Sequence, residues 1–214
     1  MGKLTVRIFG ALPDAVTSFI FLVAWITPTA LGPQWVKDLM LTMLIEFVVM
    51  HSSVFFGAIV GGASGARAKR SLFLIVLTAF YMLFIVGFSF AFKSTWPIFA
   101  FGWLFMSRFA NIWIHPQLST RATTAMASQW AASAVFYLVG VFVTLLLPLP
   151  SLGLTREFVA SMHLSGSGAW IDHPHIVIAF GALYFAAQSW FKFYVASKAS
   201  ADDASAAVRD TGAI

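Results

Sequence analysis

The sequence predicts an all-α, polytopic integral membrane bundle of six transmembrane helices with both termini cytoplasmic. Three observations predict it: too few charges for a water-soluble surface, six apolar runs near spanning length, and basic residues distributed unevenly between the loops. Of the 214 residues, 60% are hydrophobic and only 10% charged, whereas a soluble domain carries about 25% charged residues. A run of roughly 20 apolar residues crosses a hydrocarbon core about 30 Å thick. Lipid cannot hydrogen-bond a bare backbone, so such runs must be helical. The period-two alternation of a membrane barrel strand is missing.

The expected spans are 15–31, 39–60, 71–92, 96–114, 125–147 and 175–197, which make residues 1–198 one transmembrane domain. Residues 3–12 (KLTVRIFGAL) read as a short interfacial segment, and Asp14 as the N-cap of the first span. That span follows Lys3 and Arg7 but has no small-residue cleavage site and contains Pro28, so it is expected to be retained rather than cleaved as a signal peptide. Pro97 falls in the first turn of span four, where a missing N–H does no harm. Between spans five and six, residues 148–174 form the one sizeable outer segment, and the small polar residues 199–214 are expected to be a disordered tail.

Orientation follows from the basic residues. Lys3, Arg7, Arg67, Lys69, Arg70, Arg121, Lys198 and Arg209 collect on one side, against Lys37, Lys93 and Arg156 on the other. By the positive-inside rule the richer side is cytoplasmic, as in a multi-pass protein of a bacterial-type inner (plasma) membrane. The same distribution accounts for the net charge of +5 without nucleic acid, and makes the bilayer the first expected partner. The absence of cysteine excludes disulfides, thiolate nucleophiles and Cys-based metal sites.

Ionisable residues at membrane depth are costly and mark either function or a satisfied structural pair. At about 1.5 Å of rise per residue, Glu46 lies roughly 10 Å inside the outer boundary, with His51 at about 18 Å and Arg108 at about 17 Å. A Glu46–Arg108 pair would offset much of the cost of burying either charge. Thr42, Glu46, Ser53, Gly57 and Gly61 share one stripe of span two, which turns Glu46 toward protein. His51 lies about 140° around that helix from Glu46, by the 100° step per residue, so the two need not share a pocket. Further stripes comprise Arg108, Asn111 and His115 in span four, then Gln129, Ser133, Tyr137, Gly140 and Thr144 in span five. Span six contributes Gly181, Tyr184, Gln188 and Lys192, the last near enough to the boundary to snorkel. Hydroxyls and amides alone favour inter-helix packing over a hydrated path; Glu46 and Arg108 make the two readings comparable.

The histidines carry a second set of expectations. Only His51 is deep, so a bis-His haem, which needs two imidazoles at one depth, is disfavoured. His163, Asp172, His173 and His175 cluster toward the outer face and could hold zinc or copper. Polar residues at the start of a helix, with Asp172 near its positive end, explain the same pattern without a metal.

No nucleotide-binding, zincin or serine-hydrolase motif occurs, and no nucleophile stands beside Glu46 or His51, so a non-enzymatic role is favoured. The preferred expectation is a small transporter or channel for an ion or small polar solute. Its path would run among spans two, four, five and six, lined by Glu46, His51, Arg108, Asn111, Tyr137, Tyr184 and Gln188. Two alternatives stand beside it. One is a non-catalytic subunit of a larger membrane complex, its partners being other membrane subunits or further copies of the chain. The other is a redox or metal-handling protein that uses the outer histidines.

Overall fold

Every element in the described part of the chain is helical. The computed structural model describes the backbone of residues 3–61, 67–114 and 120–211; side chains at 3–7, 54, 56–61, 67, 104, 107–114, 120–123, 125–126, 196 and 198–211 lie outside the description. The helices are α1 (Lys3–Ile26), α2 (Pro33–Gly61), α3 (Arg67–Phe92), α4 (Trp96–Ile114), α5 (Thr120–Leu146), α6 (Arg156–Ser161), α7 (Ala169–Asp172) and α8 (Pro174–Thr211). A 3₁₀ turn at Pro28–Ala30 joins α1 to α2.

Among the described residues, four helical segments are long and apolar enough to cross a membrane: Ile8–Ile26, Ala68–Phe92, Ala127–Leu146 and Pro174–Val195. They overlap expected spans one, three, five and six, the first of them beginning earlier and ending at Ile26 instead of 31. The two remaining expected spans, 39–60 and 96–114, fall on α2 and α4, each of which includes side chains outside the description.

Two local expectations need correction. Residues 3–12 do not form a separate interfacial segment, because α1 runs unbroken from Lys3 through Pro13 to Ile26. Asp14 is therefore interior to a helix and caps nothing. Its carboxylate instead lies 2.6 Å from the Lys192 ammonium. The Thr17 hydroxyl donates to the Pro13 carbonyl at 2.8 Å, an ordinary back-bond to the residue four positions earlier. At the other end, α8 extends as far as Thr211. Alanine, the best helix former, recurs through residues 199–211, and extending an existing helix avoids the cost of nucleation.

Packing is organised by α8 and α2. The longest interface runs between α1 and α8, and α8 also packs on α5, α2 and α7. Half of its spanning window is buried, against 11% for that of α5. Thus α8 is wrapped by protein while α5 and α3 turn large apolar side chains outward, among them Leu146, Leu83 and Phe90. One apolar cluster joins α1, α2, α5 and α8 around Phe21, Met43, Phe180 and Tyr184. A second joins α2, α3 and α4 around Leu41, Leu74, Ile85 and Phe101. Helix α2 supplies residues to both.

The segment from 148 to 173 is docked, not loose. Leu154 and Met162 are buried, and the Trp25 indole N–H donates to the Pro150 carbonyl at 2.9 Å. Thr155 caps α6 by accepting from the Phe158 N–H at 3.3 Å.

Candidate functional site

The polar residues of α2, α5 and α8 meet where two glycines allow close approach. Gly181 of α8 sits against the ring of Phe21; an added Cβ would come 2.2 Å from it. Gly140 of α5 receives Phe180 in the same manner, at 2.6 Å. Phe180 also stands edge-on to Tyr137, with ring centroids 4.8 Å apart. These seats fix the rotation of α8 and so direct Tyr184, one turn beyond Phe180, toward α2.

Tyr184 is 1% exposed, and its hydroxyl donates to Glu46 Oε1 at 2.7 Å. One turn further, the Gln188 amide donates from Nε2 to Tyr184 Oη at 2.9 Å and to Ser133 Oγ of α5 at 2.5 Å. Ser133 in turn donates to the Gln129 carbonyl at 3.0 Å. The donors of this chain are therefore spent: one hydroxyl hydrogen on the carboxylate, two amide hydrogens on two hydroxyls, and the last hydroxyl on backbone. What is left over is acceptor capacity. Gln188 Oε1 is buried and has no hydrogen-bond partner among the described residues. An amide interrupts the row of hydroxyls, so the network is a clamp that orients Tyr184 toward Glu46 rather than a continuous proton relay.

Two further bonds tie α5 to α2 alongside this clamp. The Tyr137 hydroxyl donates to the Met43 carbonyl at 2.9 Å, and the Trp130 indole to the Met50 carbonyl at 2.9 Å. Tyr137 and Tyr184 pack edge to face at 5.5 Å. The arrangement thus places an acidic side chain within a bundle interior whose nearest polar neighbours are neutral. Its oxygen-rich character suits a proton or a hard cation.

The structure separates the expected path residues. Glu46, Tyr137, Tyr184 and Gln188 come together, with Ser133 joining them. His51 lies elsewhere on α2, stacked on Phe47 at 5.8 Å and edge-on to Tyr81 of α3 at 6.2 Å. The side chains of Arg108 and Asn111, and His115 as a whole, lie outside the described residues, so the expected Glu46–Arg108 pair does too. Lys192 is held by Asp14, a pairing that the sequence offered no signal for.

The outer histidines do not assemble. His173 and His175 face each other at 5.9 Å between ring centroids, while the Asp172 carboxylate accepts from the Gly168 N–H at 3.1 Å. His163 sits in a pocket with Lys37 and Lys93. Among the described residues no group of three or more His, Asp or Glu side chains is placed to hold a metal ion. No protein-family model matches the chain, and neither does any curated protein or solved structure.

Proposed function

We propose that the protein is a small integral membrane transporter or channel for protons or a small cation, with Glu46 as its binding group. The observation that supports this reading is the Glu46 carboxylate facing the bundle interior and held by a neutral donor, the Tyr184 hydroxyl. A carboxyl group at membrane depth is expensive and is a functional site by default. Gln188 Oε1, buried and without a donor among the described residues, adds a second oxygen for the transported ion. The full topology has six spans with both termini cytoplasmic in an inner (plasma) membrane, α2 and α4 being the second and fourth. In this reading Arg108 and Asn111 are the contributions of α4, Arg108 as counter-charge, and His51 is a separate polar group beside Tyr81 of α3.

The test is flux into proteoliposomes, read with a pH-sensitive dye for protons and with Na⁺ and K⁺ tracers for cations. Glu46→Gln retains an oxygen for Tyr184 to donate to, so folding holds while flux is lost. Tyr184→Phe lowers flux without abolishing it. Wild-type flux in Glu46→Gln refutes the assignment, and stoichiometric co-purification with other chains would replace it by a structural role within a larger complex.

A further inference from the structure

At the end of the bundle formed by the start of α2 and the end of α3, two cavities adjoin. The first, about 510 Å³, is lined by Met40 and Leu44 of α2, Phe88 of α3, Val141 and Leu145 of α5, and Trp170. The second, about 250 Å³, is lined by Lys37, Lys93 and His163. They share Ala91, Phe92, Ser165 and Ile171 as a common wall. An apolar compartment of this size is within the roughly 300–1,000 Å³ range of small-molecule sites. The compartment beside it holds two ammonium groups and an imidazole.

The two lysines are uncommitted. Neither makes an ion pair with a described acidic residue. Asp38, beside Lys37, accepts from the Gln34 amide at 3.3 Å, and the Asp172 carboxylate accepts from the Gly168 N–H at 3.1 Å.

Lys93 also occupies a position where a lysine is disfavoured. It follows α3 with φ of 52°. Its N–H bonds the Phe90 carbonyl at 3.2 Å, and the Ser94 N–H bonds the Ser89 carbonyl at 3.0 Å. That is the Schellman pattern, whose left-handed residue is usually glycine. A basic residue favours a helix C-terminus through the macrodipole, but an earlier position in the last turn would serve that end without the left-handed backbone. His163, across the pocket, is left-handed as well, with φ of 48°. Two of the three basic side chains are therefore held in the pocket against backbone preference.

We propose that this pair of compartments binds an anionic phospholipid of the surrounding membrane. Its phosphate would be held by Lys37, Lys93 and His163, and the upper part of an acyl chain would lie between α3 and α5 over Met40 and Leu44.

The test is native mass spectrometry of the full chain in detergent, with added phosphatidylglycerol or phosphatidylcholine of identical acyl chains. Phosphatidylglycerol should be retained about tenfold or more over phosphatidylcholine, in keeping with two lysines near an anionic head group. Lys37→Gln combined with Lys93→Gln should abolish that preference. Ala91→Trp, which blocks the shared wall, should weaken retention of phosphatidylglycerol. Lys93→Gly provides a variant sure to fold: its melting temperature should hold or rise as the strained Cβ is removed, while the preference falls. Equal retention of the two lipids by the wild type overturns the proposal, as does a preference that survives in Lys93→Gly and in the double variant. Competition by glycerol 3-phosphate at the same concentration as the lipid also overturns it, since that marks a site for a soluble anion alone.

Discussion

Asp14 of α1 and Lys192 of α8 form an ion pair of 2.6 Å, with side-chain exposures of 14% and 31%. It lies on the same interface as the Phe21–Gly181 contact and the Ser18 hydroxyl, which donates to the Ala182 carbonyl at 2.8 Å. The Ser189 hydroxyl, near Lys192, donates to the Ala11 carbonyl at 3.0 Å. Together these contacts fix the sliding register of α1 along α8.

Removing one partner of the pair leaves a poorly solvated charge. Asp14→Asn and Lys192→Gln are each expected to destabilise by about 1–3 kcal/mol, below the range for a fully buried pair because both groups keep some exposure. The double variant Asp14→Asn/Lys192→Gln should be closer to wild type than the sum of the two. A thermal unfolding cycle in detergent measures this, and strict additivity would show that the charges do not couple.

The glycines offer a contrast within one substitution type. Gly181→Ala places a methyl group 2.2 Å from the Phe21 ring and should cost about 1–3 kcal/mol by overpacking. Gly87→Ala in α3 meets nothing within 4 Å and should be stabilising by about 0.4–1 kcal/mol through the unfolded chain. Melting temperatures moving in opposite directions are the expected result.

Interhelical hydrogen bonds in membranes average about 0.6 kcal/mol. Tyr137→Phe, which loses only the bond to the Met43 carbonyl, should therefore lower stability by about that amount and leave flux nearly unchanged. Tyr184→Phe should cost a similar amount of stability but depress flux, because it removes the donor that orients Glu46. Equal loss of flux in the two variants would mean that general packing, not the carboxylate clamp, governs transport.

Outside the spanning helices, Glu157 in the first turn of α6 has its carboxyl held below the ordinary value of 4.5, chiefly by its backbone hydrogen bond and then by Thr155. A depressed value in the folded state means that the stabilisation is complete above 4.5 and is lost as pH falls through the lower, folded value. The protection of the α6 amides, relative to their intrinsic exchange rate at each pH, should accordingly fall below pH 4.5, and Glu157→Gln should remove that dependence. Thr155→Ala, which deletes the cap, should loosen α6 at all pH values by about 1 kcal/mol.

Periodicity made much of this site legible. The stripes through Glu46, Ser133, Tyr137, Tyr184 and Gln188 follow from helical spacing, and these residues do converge. Spacing assigns a residue to a face but does not identify the helix opposite. That is why Glu46 could be offered Arg108 as a partner, while the donor the structure gives it, Tyr184, went unassigned. Asp14 shows the same limit. An acidic residue just before an apolar run has the local signature of a cap, and its actual partner is far along the chain. The lysine-lined pocket was invisible for a different reason: Lys37, Lys93 and His163 belong to three separate segments, brought together by the packing of α2 on α3 and the docking of residues 148–173.

The position of α8 has a consequence for how the chain is made. It lies downstream of every helix it packs against, yet it fills the centre of the bundle. During synthesis, Phe21, Glu46 and Tyr137 are therefore made before their α8 partners exist. The earlier helices must wait as a loose, incompletely seated set until residues 174–195 arrive. A ribosome that stops short of that segment releases a chain in which Glu46 lacks the Tyr184 hydroxyl and Phe21 lacks its seat on Gly181.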